Sequence, residues 1–568
     1  MDENTIDSTP RPTARGIADA YVDALAQHNP LVAARLGRHP EDDRLPDLSP
    51  AGLDATAALA RATLAELDAA EPSGGFTDAV ERRCAKLLRE RLTAELAVHD
   101  AGEHFRAIRN LASPVHELRE LFTLLPTDTE AQWQAVGRRL RRVPTAVGQY
   151  RSTLAEGIDR GLQAAPRQVS TVVQQLGEWV GDEPGGWFGE FVGAAPESVR
   201  AELASAAVEA TAAVSELHDW LRDVYGPKAV GVPDTVGRER YQRWARYWNG
   251  ADLDLDEAYH WAWEQFHEVD AQMRAEADKV LPGSTPMEAM HWLEAEGQAL
   301  DGAENARRFL QDLIDKAIND LQGTHFDLAE PLLRVESMIA PPGSAAAPYY
   351  TEPSLDFTRP GRTWLPTLGR TRIPVWSLIS TWYHEGVPGH HLQLAQWIYV
   401  ADQLSVYQVT VGNVSANSEG WALYAERLMD ELGYLTDSGH RLGYLNVQML
   451  RVLRVILDIG LHVGLDYPPD SPYRPGEPME PGNAREFFGR YFGQTDDYLD
   501  SEFTRYLGWP GQAIGYKLGE RAWLRGRAAA AAAAEARGET FDLKAWHMAA
   551  LSQGSLGLDD LVTELAAL

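Results

Sequence analysis

The sequence predicts a mainly α-helical fold that is interrupted by one small antiparallel β-sheet. Long runs rich in Ala, Leu, Arg and Glu place apolar residues three and four positions apart, which is the period of an amphipathic helix. Pro and Gly separate most of these runs, as at residues 72–75 and 184–186. Residues 331–367 break the helical period with three short stretches that are typical of strands.

The elements follow from these patterns in chain order. The predicted helices are 13–30, 50–70, 78–103, 129–163, 197–224, 256–279, 303–321, 375–400, 416–432, 440–465, 483–499 and 512–537. The predicted strands are 332–336, 347–351 and 361–365. No segment repeats another at a fixed period, which argues against a solenoid. Since no linker is evident, we predict a single large helical unit over 1–568, with an N-terminal half (1–240) and a second half (241–568) that carries the sheet.

Composition limits the partners and the chemistry. The formal net charge of −31 repels phosphate backbones and anionic membranes, so we expect no nucleic-acid or membrane partner. The single cysteine, Cys84, excludes an intrachain disulfide and a cysteine-based zinc site. Residues 1–15 are polar and no run of about 18 apolar residues occurs, so we expect a cytoplasmic location. The sequence leaves the oligomeric state open.

The strongest chemical signal is the string HEGVPGHH at residues 384–391. In the HExxH motif, two histidines at i and i+4 share a helix face and bind one zinc ion, while the Glu acts as general base. Here i+4 is Pro388, which cannot bind a metal. On an ideal helix His390 would lie about 120° from His384, and His391 would lie about 10.5 Å further along the axis. Neither could join His384 on an undistorted helix.

Pro388 and its neighbours can change this geometry. Proline lacks an N–H, and its ring clashes with the carbonyl four residues back, which belongs to His384. Gly386 and Gly389 tolerate unusual dihedral angles. We therefore predict a helix bulge that loops out two residues and brings His390 to the usual i+4 place.

A third ligand has to come from another segment. Glu419, in the helical stretch SEGWALYAE, lies 29 residues beyond His390 and is the first candidate, and Glu426 is the second. Three protein ligands plus water form the usual catalytic zinc site, so we expect one Zn²⁺ ion. Glu385 would take a proton from that water and pass it to the leaving amine.

Further residues are candidates for positioning or substrate binding. Arg454, Asp458 and His462 lie at i, i+4 and i+8, so they form a stripe on one helix face. This stripe is either a structural ion-pair row or a support for the site. In the second case Asp458 would orient a ligand histidine, Arg454 would clamp a substrate carboxylate, and His462 would face substrate as a catalytic group.

Tyrosines and the remaining histidine complete the candidate set. Tyr516 could donate a hydrogen bond to the oxyanion that forms during amide hydrolysis, and Tyr506 lies close to it in sequence. Tyr350 falls in a predicted strand before the HE motif, where an edge strand can pair with an extended peptide. We predict that His391 contacts substrate or supports a ligand.

These motifs together resemble a bacterial family, domain of unknown function 885. The resemblance rests on HEGVPGHH with Leu392-Gln393, on SEGWALYAE, and on shorter blocks spread from about residue 20 to about residue 520. These blocks are residues 28–30, 36–37, 42–46, 454–462, 505–506 and 510–513. The family is in turn similar to carboxypeptidase Taq-type zinc peptidases, which are nearly all helical with a deep groove and carry HExGH.

The resemblance implies a helical zincin-like (gluzincin) fold with a deep cleft and with the small sheet next to the metal helix. It selects His390 rather than His391 as second ligand, and Glu419 as the glutamate ligand. The leading hypothesis is therefore a zinc-dependent hydrolase of short peptides, carboxypeptidase- or oligopeptidase-like. An amidase of a small metabolite with the same site is the alternative, and a metal-free helical binding protein is the third hypothesis.

Overall fold

The fold is mainly helical, as the sequence predicts. A computed structural model describes residues 12–39, 42–72, 75–341 and 347–568. The chain divides into two compact units. The first comprises residues up to Pro233 together with Leu404–Gly412, and the second comprises Asp234–Gln403 and Asn413–Leu568.

The first unit consists of helices around a core of Leu, Val and Ala side chains. Its helices are α1 (Ala14–His28), α2 (Pro30–Arg35), α3 (Pro50–Ala70), α4 (Ala79–Asp100), α5 (Pro114–Thr123), α6 (Glu130–Leu140), α7 (Val143–Asp159), α8 (Pro166–Val180), α9 (Gly186–Val192), α10 (Glu197–Trp220) and α11 (Gly226–Ala229). Helix α10 packs against α6, α7, α8 and α9. The side chains of Thr13, Ser49 and Asp78 cap three of the N-termini.

The second unit contains the remaining helices and all strands of the described residues. Its helices are α12 (Arg238–Asn249), α13 (Leu255–Val280), α14 (Pro286–Glu296), α15 (Ala303–Leu321), α16 (Leu378–Glu385), α17 (His390–Tyr399), α19 (Ser415–Glu431), α20 (Ser438–Val463), α21 (Pro481–Tyr491), α22 (Asp496–Gly508), α23 (Gly515–Ala536), α24 (Leu543–Leu551) and α25 (Leu558–Ala566). The short helix α18 (Val406–Val409) belongs to the first unit.

The strands form two small sheets. They are β1 (Ala299–Asp301), β2 (Val335–Ile339), β3 (Tyr349–Thr351), β4 (Gly361–Leu365) and β5 (Arg372–Pro374). β1 and β5 are antiparallel, whereas the other three form one sheet in the order β2-β4-β3. The β3–β4 pair is antiparallel as predicted, but β2 and β4 are parallel. The prediction of an all-antiparallel sheet is therefore wrong for β2 and β4. Strand β3 lies between them in the chain and runs in the opposite direction, so β2 and β4 point the same way.

Three predicted helices are each divided in two. Residues 129–163 form α6 and α7, residues 483–499 contribute to α21 and α22, and residues 375–400 form α16 and α17. Apolar periodicity persists across a short break, so it does not reveal where the backbone leaves the helix. None of the helices in the described ranges combines the length and the apolar character needed to cross a membrane.

The packing of α19 on α23 fixes the helix that carries Glu419. A Cβ atom on Gly420 would lie 2.5 Å from the Cα of Gly519, and one on Gly519 would lie 2.0 Å from the carbonyl oxygen of Ala416. Contacts this short exclude any side chain at either position, so the two backbones meet directly. Glu419 is therefore held on a rigidly packed helix.

Candidate metal centre

The HE motif lies on two helices joined by a tight turn. Helix α16 ends at Glu385 and α17 begins at His390, with residues 386–389 between them. The predicted bulge within a single helix is corrected to this break. The turn folds back on α16, because the Gly389 N–H donates to the Tyr383 carbonyl at 3.0 Å and the His391 N–H donates to the Gly386 carbonyl at 3.1 Å.

Two residues make the turn compact. A Cβ atom on Gly389 would lie 1.9 Å from the His384 carbonyl oxygen, so only glycine fits there. The indole N–H of Trp421, on α19, donates to the carbonyls of Pro388 at 2.9 Å and of Gly389 at 3.2 Å. The helix that carries Glu419 therefore also fixes the turn that places His390.

Three potential ligands converge at this turn. Glu419 Oε2 lies 3.4 Å from His384 Nε2 and 3.7 Å from His390 Nε2. One ligand atom from each residue lies within 4.8 Å of the others, in the one group of this kind within the described ranges. Ligands about 2.0–2.1 Å from a tetrahedral zinc ion are separated by roughly 3.3 Å, so the spacing fits a single ion.

Unsatisfied polar atoms support the same interpretation. Glu419 Oε2 is buried and has no hydrogen-bond partner among the described residues. Its nearest neighbours are the two imidazole nitrogens at 3.4 Å and 3.7 Å, so it lacks a close donor, and a cation is the partner that its charge favours. The donor set of two imidazoles and one carboxylate is typical of catalytic zinc sites.

Glu426 holds His384 from the opposite side. His384 Nδ1 donates to Glu426 Oε1 at 2.8 Å, and Ser380 Oγ donates to Glu426 Oε2. Glu426 is fully buried and contacts the nitrogen that faces away from Glu419. It is therefore placed to orient a ligand rather than to serve as one, a common arrangement for histidines that bind metals. Of the two glutamates, Glu419 is the one that groups with His384 and His390.

The charges of the site attract a cation. Burial opposes ionisation of His384, but Glu419 and Glu426 outweigh it and raise the pKa of His384 to about 10. Burial likewise opposes ionisation of Glu419, yet the two histidines hold its pKa well below the usual range. Burial raises the pKa of Glu385, which lies beside this group. The ionised Glu419 favours a cation beside it, either the protonated His384 or a metal ion that takes the place of that proton.

His391 is committed to other contacts. Its Nε2 donates to the Leu332 carbonyl at 3.0 Å, and its Nδ1 accepts from the Tyr350 hydroxyl at 2.9 Å. Burial lowers the pKa of His391 to about 4, so the ring stays neutral. A Cβ atom on Gly361 would clash with both partners, so the glycine leaves room for this pair. His391 supports Tyr350, and His390 is the histidine that faces Glu419.

A cavity of about 480 Å³ opens beside the three potential ligands. Its volume lies in the range typical of small-molecule sites. The wall includes Glu385 and, from more distant segments, Tyr350, Tyr498 and Tyr516. The remaining lining residues are Ala347, Pro348, Tyr349, His384, His390, Leu394, Asn413, Ser415, Ser418, Glu419, Arg451 and Arg454. Strand β3 is an edge strand and lies at this wall through Tyr349 and Tyr350.

Two arginines on α20 line the cavity. Arg454 donates to the Tyr506 hydroxyl at 3.1 Å and to Glu502 Oε2 at 2.8 Å, while its Nη1 is buried without a partner among the described residues. Arg451 lies one helical turn earlier, and its Nε is likewise unpartnered in the described part of the chain. Both guanidinium groups stack on the Tyr516 ring, at 4.6 Å for Arg454 and 4.7 Å for Arg451.

Besides His391, three predicted site residues do not line the cavity: Tyr506, His462 and Asp458. The Tyr506 hydroxyl accepts from Arg454 and donates to Glu502. His462 is buried, with Nε2 donating to the Tyr506 carbonyl at 3.1 Å and Nδ1 accepting from the Val236 N–H at 3.3 Å. Asp458 accepts from the Tyr241 hydroxyl at 2.7 Å and from the Gly511 N–H at 2.8 Å. Both ring nitrogens of His462 bond to core partners, and Asp458 Oδ2 accepts two bonds while its Oδ1 has no partner among the described residues. Neither side chain contacts a candidate ligand, and Glu426 is the residue that orients His384.

The sequence did not identify Arg451 and Tyr498 as cavity residues. It indicated Glu426 as a candidate ligand but not as the residue that orients His384. Arg451 could have been found from its i, i+3 spacing to Arg454, which puts both on one face of α20. Glu426 lies seven residues after Glu419, so both face the same side of α19. Tyr498 carries no local signal, because α22 reaches the cavity only through the tertiary packing.

The family comparison agrees with the resemblance. A model described as "Bacterial protein of unknown function (DUF885)" matches residues 30–565. The chain belongs to this family. Comparison with curated proteins finds no match. The match spans nearly the whole chain and includes residues of both units.

Solved structures share the fold at low sequence identity. A "putative lipoprotein from Colwellia psychrerythraea" has a TM-score of 0.81 and 19% identity, covering 98% of both chains. A "putative lipoprotein of unknown function from Shewanella oneidensis" has a TM-score of 0.75 and 19% identity, covering 97% of this chain and 99% of the other. A Pyrococcus furiosus carboxypeptidase has a TM-score of 0.40 and 13% identity, covering 99% and 96%, and this similarity is too low to support an argument.

The predicted cytoplasmic location is contradicted by these neighbours. Two proteins with this fold are described as lipoproteins in the words quoted above. The prediction relied on the polar residues 1–15 and on the lack of an apolar membrane span. A lipid anchor requires no membrane-spanning helix, so that pattern does not identify a cytoplasmic protein. The predicted cytoplasmic location is therefore wrong.

Proposed function

We propose that this chain is a zinc-dependent hydrolase of amide bonds in short peptides, with a zincin-like arrangement of α16, α17 and α19 at its centre. One observation carries the proposal: His384, His390 and Glu419 converge at distances that suit one ion, beside Glu385 and at the wall of a cavity. Two imidazoles, one carboxylate and an adjacent glutamate are the elements of metal-assisted amide hydrolysis.

Each residue has a role that its position permits. His384, His390 and Glu419 would hold the ion, and Glu426 would keep His384 in the tautomer that presents Nε2. Zinc in such a site polarises a substrate carbonyl and makes water acidic enough to act as a nucleophile near neutral pH. The Glu385 carboxylate would accept the proton from the attacking water and return it to the amine that leaves.

Tyr516 is the candidate for stabilising the oxyanion. It lines the cavity, and burial, with Glu419 nearby, raises the pKa of its hydroxyl. The phenol therefore stays protonated and can donate a hydrogen bond. The Arg451 and Arg454 guanidinium groups both stack on its ring, which restricts its orientation.

The cavity walls favour a small substrate with a negatively charged end. Arg451 and Arg454 each present a nitrogen without a protein partner among the described residues. Guanidinium groups bind carboxylates with strong, directed hydrogen bonds. A peptide with a free C-terminal carboxylate supplies such a group, and the edge strand β3 could pair with its backbone.

Metal analysis and a substrate panel test this function. Purified protein should contain one zinc per chain, and the Glu385→Gln variant should retain zinc but lose hydrolysis by about 10²–10⁴-fold, the usual contribution of a general base. The panel should include short peptides and N-acyl amides, which separates peptide hydrolysis from the amidase alternative. A protein that binds no zinc would support the metal-free binding protein instead. Hydrolysis retained by Glu385→Gln would remove Glu385 from its role.

A further inference from the structure

A second chamber adjoins the metal-site cavity within the same unit. It has a volume of about 500 Å³. His384, Glu385, Arg451 and Tyr498 line both chambers, so the two meet beside the candidate zinc ligands and the general base. A group in the second chamber would therefore lie next to the bond that is cleaved.

The second chamber runs along one face of α16. Ser377, Thr381 and His384 line it at i, i+4 and i+7, which places them on the same side of the helix. Seven residues of helix span about 10 Å at 1.5 Å per residue. The chamber therefore has the length of a large side chain rather than that of a single methyl group.

Apolar residues make up a larger share of the walls of this chamber than of the first, alongside polar residues such as Glu294 and Arg370. The apolar residues include Leu365, Ile373, Leu378, Val447, Leu450 and Phe492. These residues come from β4, β5, α16, α20 and the segment before α22, so five parts of the unit contribute to one apolar surface. Apolar walls of a concave site favour apolar groups of the ligand.

Leu368 at this chamber has no explanation in the packing of the fold. Its side chain is 65% exposed, and its backbone is left-handed with a φ of 51°. That conformation favours glycine or asparagine, and an exposed leucine gains little from the core. Leu368 nevertheless lines the chamber, where an apolar ligand would cover it.

A buried amide group adds one polar contact. Asn446 lines the chamber, is 4% exposed, and its Oδ1 has no hydrogen-bond partner among the described residues. A buried acceptor without a partner is costly unless a ligand donates to it. A substrate N–H is a donor of the required kind.

We propose that this chamber is the subsite that selects the substrate, and that it binds a bulky apolar side chain adjacent to the scissile amide bond. The proposal rests on the proposed function, since it assigns the neighbouring cavity to amide hydrolysis. The substrate class becomes short peptides with a large apolar residue next to the cleaved bond and a free carboxylate held by Arg451 and Arg454.

The proposal is tested by measuring how tightly three N-acetyl dipeptides bind to the Glu385→Gln protein. This protein is supplied with zinc and should not hydrolyse the probes during the measurement. The probes are N-acetyl-Phe-Ala, N-acetyl-Ala-Phe and N-acetyl-Ala-Ala, with affinity measured by calorimetry. Burial of a phenylalanine side chain should make one of the Phe probes bind about 10- to 100-fold tighter than N-acetyl-Ala-Ala. Equal affinity for all three, or no binding of any, would overturn the proposal.

Affinity measurements on two variants show whether the preference for a Phe probe comes from this chamber. Val447→Phe, at a half-buried wall position, should narrow the chamber and weaken the preferred Phe probe about tenfold while leaving N-acetyl-Ala-Ala unchanged. Val463→Phe, at the end of the same helix α20 and not a lining residue of this chamber, is the matched control and should change neither affinity. Equal weakening of all probes by Val447→Phe would contradict the assignment.

If Val447→Phe does not fold, Leu368→Asn tests the same chamber. The position is exposed and asparagine suits its backbone, so folding is not at risk. The preferred Phe probe should bind several-fold more weakly to it, with N-acetyl-Ala-Ala unaffected.

The two proposals can fail separately. A Phe preference that depends on Val447 but comes without hydrolysis by the wild-type protein shows that the chamber binds an apolar side chain and rejects the hydrolase. Hydrolysis of all three dipeptides at equal rates supports the hydrolase and rejects the subsite.

Discussion

Glu426 accepts a hydrogen bond from His384 Nδ1 at 2.8 Å, on the side of the imidazole opposite Glu419. The bond fixes the tautomer of His384, so that Nε2 is free to bind a metal. Ser380 Oγ donates to the other oxygen of Glu426, so both carboxylate oxygens are held away from the His390 side of the site. Two glutamates on α19 thus contact the two nitrogens of one histidine.

Replacing Glu426 should weaken metal binding without removing a ligand. We expect Glu426→Gln to lower zinc affinity by about 10- to 100-fold, the usual effect of losing a carboxylate that orients a ligand histidine. Glu419→Gln should cause a larger loss because it removes a ligand. Competition with a chromogenic chelator measures both. Glu431→Gln, an exposed change on the same helix, is the control and should leave zinc affinity unaltered. An effect of Glu426→Gln no larger than that of the control would contradict the orienting role.

Gly389 should not accept a side chain. A Cβ atom there would lie 1.9 Å from the His384 carbonyl oxygen, so Gly389→Ala must displace the turn that positions His390. We expect a destabilisation of about 1–3 kcal/mol, typical of overpacking, together with weaker zinc binding. Thermal unfolding with and without zinc provides the measurement. Gly482→Ala on α21, where a Cβ would contact nothing within 4 Å, serves as control and should not reduce stability.

Asp458 should give the protein a pH-dependent stability. Burial raises its pKa to about 7 against the opposing hydrogen bonds from Tyr241 and Gly511. The folded state therefore binds this proton more tightly than the unfolded state. Its stabilising contribution is full below the unfolded pKa and is lost as the pH rises through about 7.

We expect the unfolding free energy of the wild type, relative to Asp458→Asn, to fall by roughly 1 kcal/mol per pH unit between pH 5 and pH 7. Urea unfolding at several pH values measures this difference. Asp312→Asn, an exposed change on α15, should follow the wild type across the range. A difference between Asp458→Asn and the wild type that stays constant with pH would show that Asp458 does not titrate in this window.

Arg451 should discriminate between free and blocked carboxylates. Its Nε has no partner among the described residues, and it lines both chambers. Loss of a charge-assisted hydrogen bond costs about 1.5–3 kcal/mol, so Arg451→Gln should reduce kcat/KM on free-acid dipeptides about 10- to 100-fold. The corresponding C-terminal amides should be affected little. Arg525→Gln, an exposed change on α23, is the control. Equal losses on acids and amides would exclude a carboxylate contact.

The sequence by itself determined the helical character, the approximate positions of three short strands before the HE motif and the segments that supply the candidate ligands. The first of these strands begins at Val335 rather than at Leu332, because a short 3-10 turn precedes it. These features are local, because apolar periodicity, turn residues and the pairing of His with Glu are properties of short stretches. The approximate location of the small sheet was predicted in the same way. The parallel pairing of β2 with β4 was not, because strand direction depends on the path of the chain between the strands.

Only the tertiary structure decided which residues meet at the site. His390 and His391 are adjacent in sequence, and the residues themselves did not distinguish them, because the path of the backbone through residues 386–389 was unknown. Contacts from Trp421 and the close approach of Gly389 define that path. His462 and Asp458 lie on the same helix stripe as Arg454, yet they contact the core, because periodicity identifies a face of a helix and not the element that packs against it.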